Sequence, residues 1–330
     1  MAAANFLGFR RHVIEPAADA PRILAFLNIS FGGIFGFSSR LMVGERAEIQ
    51  LCDAREAVAC ARDNADLVLG MKVRTGRIAG GASGIGPLEV ALEAADELGL
   101  PLMTHIDDPP PGRRTVLGML RPGDILTHCF RPFPNAPVQN GRIREDVRAA
   151  RARGLIFDIG HGMGSFDFAV ARTMLAEGFE PDVISIDLHL FCVEGPVYDL
   201  PTCLSKLVAL GLSLPAAIRA ATLAPAEAIG RSELGRLAPG LPGDATVLRL
   251  ESGQFAFRDV RGNIVKSQER LVSAGIVMGG RWMPNDAPGP DLAAPVPALP
   301  ATHAEAVRRH FGAGGACCEP ADGAGGLQAG

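Results

Sequence analysis

The chain has 330 residues, a formal net charge of −4 and 48% hydrophobic residues, the balance of a globular protein with a substantial core. A pI near 6.0 gives no reason to expect nucleic acid or a membrane as a partner, and no stretch approaches the roughly 20 apolar residues of a membrane span. The N-terminus lacks a secretory signal pattern, and seven cysteines without framework spacing suit a reducing, cytoplasmic location.

Residues 1–232 alternate strand-like and helix-like segments. Continuous apolar runs predict parallel strands covered on both faces, at 22–29, 67–73, 100–105, 125–129, 154–159 and 183–186. Helices are predicted at 5–14, 46–61, 87–98, 142–152, 167–177, 201–210 and 215–221. Repeated βα units with polar residues at the strand ends predict an α/β fold, an incomplete TIM-like (β/α) barrel with six of the eight strands. A doubly wound open sheet is the competing topology.

The texture changes after residue 232. Residues 233–285 are predicted to form a partial β-sandwich domain, from antiparallel strands near 243–250, 255–265 and 271–282. Residues 286–330 are rich in Pro, Ala and Gly and are predicted to be mostly disordered, apart from a short helix at 304–311. The sequence therefore predicts a barrel domain, a small β-domain and a tail.

Lys72 is unusual because the chain has only three lysines, the others being Lys206 and Lys266. It lies inside the second apolar run, where a buried ammonium is costly unless it is paired, neutralised or modified. A buried lysine with a lowered pKa can react with a carbonyl or with carbon dioxide. An ion pair with a neighbouring acid is the alternative.

Further polar side chains close or follow the later strands of the predicted barrel. These are His105, His128, His161 and Asp187. In a (β/α) barrel such positions point into the mouth, where active sites lie, and neutral imidazoles suit divalent metals such as zinc. Together with Lys72 they predict a metal site. His161 is predicted to hydrogen-bond the substrate's carbonyl or its developing oxyanion.

Two segments near these strand ends leave alternatives open. Asp107 and Asp108 are read either as a pair beside the substrate or as a turn before three prolines. The glycine-rich run 80–86 resembles the phosphate-binding turn of short-chain dehydrogenases, but a lone glycine pattern is weak. That family's Tyr-x-x-x-Lys pair is absent, since the single tyrosine, Tyr198, has its nearest lysine at Lys206. We interpret the run as a loop after the lysine strand.

Several motifs occur in a characteristic order along the chain. They are Gly-Met-Lys-Val-Arg at 70–74, Met-Thr-His-Ile-Asp-Asp-Pro-Pro at 103–110, Gly-Asp-Ile-Leu-Thr-His-Cys-Phe at 123–130, Ile-Ser-Ile-Asp-Leu-His at 184–189 and Ala-Thr-Leu-Ala-Pro-Ala at 221–226 with Gly-Asp-Ala at 243–245. On these motifs the chain resembles the amidohydrolase superfamily, in its dihydroorotase-like amidohydrolase/deacetylase branch, over about residues 5–282.

The resemblance implies a metal-dependent hydrolase. It implies that Lys72 is a carboxylated bridging ligand, that His105 and His128 bind a metal, and that Asp187 is both ligand and proton-transfer base. The expected cofactor is a divalent metal, zinc first, with manganese or another divalent ion left open. The site is binuclear in the intact family, and one metal or none is expected as an alternative here. A metal-bound hydroxide would attack an amide, cyclic amide or ester bond of a small molecule. Dihydroorotate, hydantoin-like rings, N-acyl amino acids and acylated hydroxy acids all remain open as substrates.

One departure from the family pattern is informative. The family's first barrel strand carries a His-x-His pair, which this sequence lacks. We therefore expect two βα units and the N-terminal half of the sandwich to be missing, through a misplaced start or a shortened copy. The alternative function is a catalytically impaired fragment or pseudoenzyme. An open barrel edge would favour association into a homo-oligomer.

Overall fold

The central sheet is parallel and follows the chain order. A computed structural model describes residues 1–16, 21–34, 44–287 and 289–293. Five strands pair in the order β1-β2-β3-β4-β7: β1 (Ala25–Asn28), β2 (Val68–Thr75), β3 (Leu102–Ile106), β4 (Ile125–Leu126) and β7 (Ile156–Phe157). Residues 183–186 extend this ladder through parallel bridges from Asp158 to Val183 and from His161 to Ile186. All six predicted strands are therefore found.

The strand order distinguishes the two topologies that the sequence left open. A doubly wound sheet reverses its strand order at a switch point. Here the order never reverses, which is the arrangement of a (β/α) barrel. The described strands form an open arc, and they do not close into a complete barrel. The predicted incomplete barrel is confirmed.

Helices cover the sheet. They are α1 (Ala3–Phe9), α2 (Ala54–Asp63), α3 (Arg77–Gly80), α4 (Gly86–Leu98), α5 (Arg113–Met119), α6 (Glu145–Ala152), α7 (Phe168–Ala176), α8 (Leu200–Ala209), α9 (Leu214–Ala221) and α10 (Leu223–Ala228). The start of α4 has proline in its first turn, and its buried face, with Leu88 and Ala91 fully inaccessible, joins the same core as Met71 and Val73 of β2. None of the described helices is long and apolar enough to cross a membrane.

Two helix boundaries differ from the prediction. The helix expected from residue 46 begins only at Ala54, because the Asp53 carboxylate accepts the N–H groups of Arg55 and Glu56 and so caps the helix there. The helix expected from residue 142 begins at Glu145, because residues 142–143 form β6 (Arg142–Ile143), which pairs with β5 (Val138–Gln139). In both cases a local hydrogen bond overrides helix propensity.

The predicted antiparallel strands are present after residue 232. They are β8 (Ala245–Arg258), β9 (Ile264–Met278) and β10 (Arg281–Pro284), in the order β10-β9-β8. The N–H of Leu271 donates to Ser205 Oγ on α8 at 2.8 Å, and Phe257 joins the core of the parallel sheet. The small sheet thus packs against the barrel helices. The predicted domain boundaries at 232 and 285 stay predictions.

The predicted disordered tail begins at residue 286, yet its first part packs. Leu292 is 2% exposed, and its carbonyl accepts the N–H of Ala256 on β8. The rest of the predicted tail, from residue 294 onward and including the helix expected at 304–311, lies outside the described residues.

Candidate active site

The carboxyl ends of the parallel strands bring four predicted residues to one edge of the sheet. Lys72 lies on β2 and His105 on β3, while His128 follows β4 and Asp187 follows the sixth strand. The rings of His105 and His128 stand perpendicular with their centroids 4.7 Å apart. His128 Nε2 lies 4.0 Å from Asp187 Oδ2. The predicted cluster therefore forms from four separate strands.

The orientation of His128 is set by a glycine turn. His128 has a left-handed backbone with φ 64°, and its Nδ1 lies 2.7 Å from the carbonyl oxygen of Gly160. A carbonyl only accepts, so Nδ1 carries the proton and Nε2 keeps its lone pair. Gly160 itself has φ +47°, and a Cβ there would fall 2.1 Å from Thr127 Oγ1. Only glycine fits this support.

His105 carries a buried nitrogen without a hydrogen bond. Among the described residues, nothing hydrogen-bonds its Nε2, and the nearest carboxylate oxygen, Asp107 Oδ2, is 3.6 Å away. Asp107 instead accepts the N–H groups of Ile78 and Ala79, each at 3.0 Å. Asp107 thus builds the turn into α3, while His105 presents a ring nitrogen that makes no hydrogen bond to the described residues.

The protonation states at this edge suit cation binding. Burial lowers the pKa of Lys72 to about 8, although the charge of Asp187 opposes the shift. Burial likewise lowers the pKa of His128 to about 4 and that of His105 well below its usual value. The pKa of Asp187 is raised by desolvation, but His128 outweighs this together with His189 and Lys72, so it lies below its usual value. Both imidazoles are neutral and the carboxylate is ionised at neutral pH.

These residues fit a metal only if Lys72 takes part. Within the described part of the chain, no three His, Cys, Asp or Glu side chains can hold a metal ion by themselves. Neutral imidazoles, one of them with an orphaned buried Nε2, and an ionised carboxylate are the donors that zinc prefers. A carboxylated Lys72 would add the missing anionic oxygens. The donor set therefore fits a divalent metal with the modified lysine as a member.

His161 lies beside the cluster but faces inward. It is fully buried, its Nε2 lies 2.8 Å from Lys206 Nζ, and its Nδ1 lies 3.1 Å from the carbonyl oxygen of Gly162. Burial, followed by the charge of Lys206, lowers the pKa of His161 well below its usual value. Both ring nitrogens are thus engaged within the protein. The role predicted for His161 at the substrate stays a prediction, and this geometry argues against a direct contact.

Sequence reasoning gave no role to two charged residues around the cluster. Asp158 is 1% exposed and accepts the hydroxyl protons of Thr127 at 2.6 Å and Ser185 at 2.9 Å. Lys206, on α8, is fully buried. The rarity of lysine in the chain was the available signal for Lys206, whereas an aspartate at the end of an apolar run gave only a weak one for Asp158.

The glycine-rich run does follow the lysine strand, as interpreted. It folds into the short helix α3, a 3-10 turn over 81–83 and the start of α4. The Ser83 hydroxyl donates to the carbonyl oxygen of Ala47. Gly81 and Gly84 both have positive φ, so backbone geometry explains these two glycines of the run.

Comparison with known proteins assigns this architecture. No protein-family model matches the chain. A deacetylase of Agrobacterium fabrum is 32% identical over 85% of this chain and 70% of its own length. A deacetylase of Enterococcus faecalis is 33% identical over 80% of this chain and 71% of its own length.

Two solved structures are similar as well. The crystal structure of an adenine deaminase matches with a TM-score of 0.80 at 32% identity, covering 86% of this chain and 76% of the other. That of a dihydroorotase matches with a TM-score of 0.79 at 33% identity, covering 86% and 74%. Fold and site together define a hydrolase of the (β/α)-barrel type. The chain belongs to the amidohydrolase superfamily, in the family of the deacetylases above.

Proposed function

We propose that this chain is a metal-dependent hydrolase of small molecules that cleaves C–N bonds of amides or cyclic amides, or the corresponding esters. The convergence of Lys72, His105, His128 and Asp187 at one sheet edge carries the proposal. Their protonation states support it, because both imidazoles are neutral and Asp187 is ionised at neutral pH. The relatives named deacetylase and dihydroorotase support amide and cyclic amide substrates respectively.

Carboxylated Lys72, His105, His128 and Asp187 would hold the metal, most simply zinc. When bound, such a metal polarises the substrate carbonyl and activates a water for attack. His128 suits metal binding because the Gly160 carbonyl accepts its Nδ1 proton and leaves the Nε2 lone pair free to bind a metal. His105 offers a ring nitrogen that no other described residue hydrogen-bonds. The protein therefore supplies two neutral imidazoles, and it holds His128 in the tautomer that a cation needs.

Asp187 would move the proton. Its side chain is 55% exposed, so a water and a substrate can reach it from the mouth. Its lowered pKa keeps the carboxylate ionised. Asp187 would accept the proton of the attacking water and deliver it to the leaving nitrogen, a transfer worth roughly 10²- to 10⁴-fold in rate.

The test is Asp187→Asn in protein loaded with zinc, with amine release measured from a panel of N-acetyl amino acids and ring opening from dihydroorotate. We expect turnover by the wild type on at least one compound, and a loss of roughly 10²- to 10⁴-fold in the variant at unchanged thermal stability. Full turnover by Asp187→Asn would contradict the mechanism. Wild-type protein without metal or turnover would favour the impaired copy predicted from the missing His-x-His pair.

Two predictions from the sequence are independent of this test. The cytoplasmic location and the homo-oligomer both stay predictions. Size-exclusion chromatography with light scattering would measure the second directly.

A further inference from the structure

Helix α8 carries a buried lysine without an acidic partner. Lys206 is fully inaccessible, and its Nζ contacts a ring nitrogen and a carbonyl oxygen. None of the ion pairs formed by the described residues includes it. Burying an ammonium without a carboxylate is costly. Because Lys206 lowers stability in this way, we expect it to serve a function other than packing the core.

The two contacts of Lys206 reach two different loops. Its Nζ donates to His161 Nε2 at 2.8 Å and to the carbonyl oxygen of Pro196 at 2.5 Å. His161 belongs to the loop that follows β7, and Pro196 to the loop that follows Asp187. The Lys206 ammonium therefore connects the loop that contains His161 to the loop that follows Asp187.

The contact continues from His161 to Asp187 through the backbone. The N–H of His161 donates to Ser185 and the N–H of Asp187 donates to the carbonyl of His161, at 3.0 and 2.9 Å. The next residue, Gly162, lies so close that a Cβ would stand 2.9 Å from Asp187 Oδ2. The His161 ring donates to the Gly162 carbonyl through Nδ1. The backbone of His161 thus hydrogen-bonds Asp187 directly, and its ring holds Gly162, the residue that packs against the Asp187 carboxylate.

We propose that Lys206 is a positioning residue for Asp187. Its ammonium clamps His161 on one side and Pro196 on the other, and so fixes the backbone that presents the carboxylate. This inference rests on the proposed function for the task of Asp187, while the clamp itself is independent of any metal. A clamp of this kind predicts that removal of the ammonium leaves the fold stable but loosens the site.

The test compares Lys206→Met with Ser205→Ala, the neighbouring buried position on α8. Met retains the length and packing of the lysine stem without the ammonium. Ser205→Ala removes the hydroxyl that binds Leu271 and therefore weakens the fold away from the site. Each protein is titrated with Co²⁺ after addition of bicarbonate, with the absorption spectrum and the thermal midpoint as readouts.

We expect Lys206→Met to bind Co²⁺ 10- to 100-fold more weakly, the usual effect of removing a residue that orients a ligand, at an unchanged or higher thermal midpoint. Ser205→Ala should show the reverse, with a lower midpoint and Co²⁺ affinity within about twofold of wild type. Wild-type Co²⁺ affinity in Lys206→Met would overturn the proposal. A Lys206→Met protein that does not fold would also overturn it, because the ammonium would then serve the fold.

A second measurement separates this inference from the proposed function. Protein labelled with ¹⁵N-histidine and free of metal should show His161 as a single Nδ1–H tautomer, with its signal identified by loss in His161→Gln. In Lys206→Met we expect the Nε2 resonance of His161 to shift, because Nε2 has lost its donor while the Gly162 carbonyl still accepts the Nδ1 proton. An unchanged Nε2 resonance of His161 would overturn the clamp even if the wild type binds no Co²⁺. Absence of Co²⁺ binding in the wild type would count against the proposed function alone.

Discussion

Lys206 is fully buried and Lys72 is half-buried, and the loss of solvent lowers the pKa of each to about 8. Their surroundings differ in one respect. The ammonium of Lys206 has two hydrogen-bond acceptors, His161 and Pro196, whereas none of the described residues accepts a hydrogen bond from Lys72. The first amine is fixed in direction, and the second is left unused at the edge of the site.

The difference shows that a perturbed pKa alone does not identify a reactive lysine. The two shifts have the same principal cause and the same size, so the hydrogen-bond partners must distinguish the roles. A satisfied ammonium can position its neighbours. An unsatisfied amine beside a carboxylate and two neutral imidazoles can combine with carbon dioxide, releasing one proton, and become an anionic ligand.

The largest effect is expected from removing the unused amine. Lys72→Met should abolish stoichiometric metal binding and lower turnover by roughly three orders of magnitude, because the anionic ligand that a carboxylated Lys72 would supply is lost, and with it the electrostatic stabilisation that the metal would give the transition state. Elemental analysis measures the metal, and ¹³C NMR of protein exposed to ¹³C-bicarbonate should show a carbamate signal in the wild type that the variant lacks.

Lys266→Met is the matched control for Lys72→Met. Lys266 lies on β9, exposed to solvent, and is the remaining lysine of the chain. Its replacement should leave metal content, the carbamate signal and turnover unchanged. A carbamate signal that survives in Lys72→Met would contradict the assigned difference between Lys72 and Lys206, since the carbamate would then have formed on another amine.

Three residues of the candidate site could be predicted because they close or follow apolar runs. A continuous run such as 67–73 predicts a buried strand, and a polar residue at its end then falls at the shared carboxyl edge. That reasoning predicts His105, His128 and Asp187 as site residues, although it gives no distances between them, whereas Lys72 stands out as a rare lysine inside an apolar run. The strands could be predicted without knowing which elements pack against them, because a continuous apolar run already indicates burial on both faces.

The contact between Lys206 and His161 could not be predicted in the same way. It joins residues 45 positions apart, and it exists only because α8 packs across the loop after β7. The apolar pattern of α8 indicates that Lys206 is buried, but not which group it meets. The late start of α2 was missed for a related reason, because a capping hydrogen bond from Asp53 decides it.

A smaller effect is expected from pushing Asp187 aside without touching either lysine. A Cβ at Gly162 would lie 2.9 Å from Asp187 Oδ2, too close for a carboxylate oxygen. Gly162→Ala should therefore weaken Co²⁺ binding by roughly 10- to 100-fold, as expected for a change that displaces a ligand. Isothermal titration measures the affinity, and thermal unfolding reports on the fold.

Gly118→Ala serves as the control for Gly162→Ala. Gly118 lies on the exposed face of α5, where an added Cβ meets nothing within 4 Å. Alanine should raise stability there by up to about 1 kcal/mol through helix propensity and leave Co²⁺ affinity unchanged. If Gly162→Ala kept wild-type affinity, the position of Asp187 would not depend on the loop that Lys206 contacts. The positioning role assigned to Lys206 would then lose its support.

The smallest effect concerns stability against pH and compares the two lysines directly. For Lys206 the folded pKa of about 8 lies below the ordinary value of 10.5. Between these values the unfolded chain binds more protons than the folded one, so the free energy of unfolding rises with pH. The gain is at most of the order of 3 kcal/mol, and it should disappear in Lys206→Met. Urea unfolding at pH 7.5 to 10 measures it.

The same pH measurement distinguishes Lys72 from Lys206 in two preparations of the protein, one free of carbon dioxide and one saturated with bicarbonate and zinc. Lys72 is expected to be a free amine only in the first. In protein kept free of carbon dioxide, Lys72 is an amine with a pKa of about 8, so Lys72→Met should flatten the pH dependence as Lys206→Met does. In protein saturated with bicarbonate and zinc, Lys72 is expected to be a carbamate, and only Lys206→Met should flatten it. Equal flattening by both variants in both preparations would mean that Lys72 stays an amine. The two lysines would then differ in their hydrogen bonds but not in their chemistry.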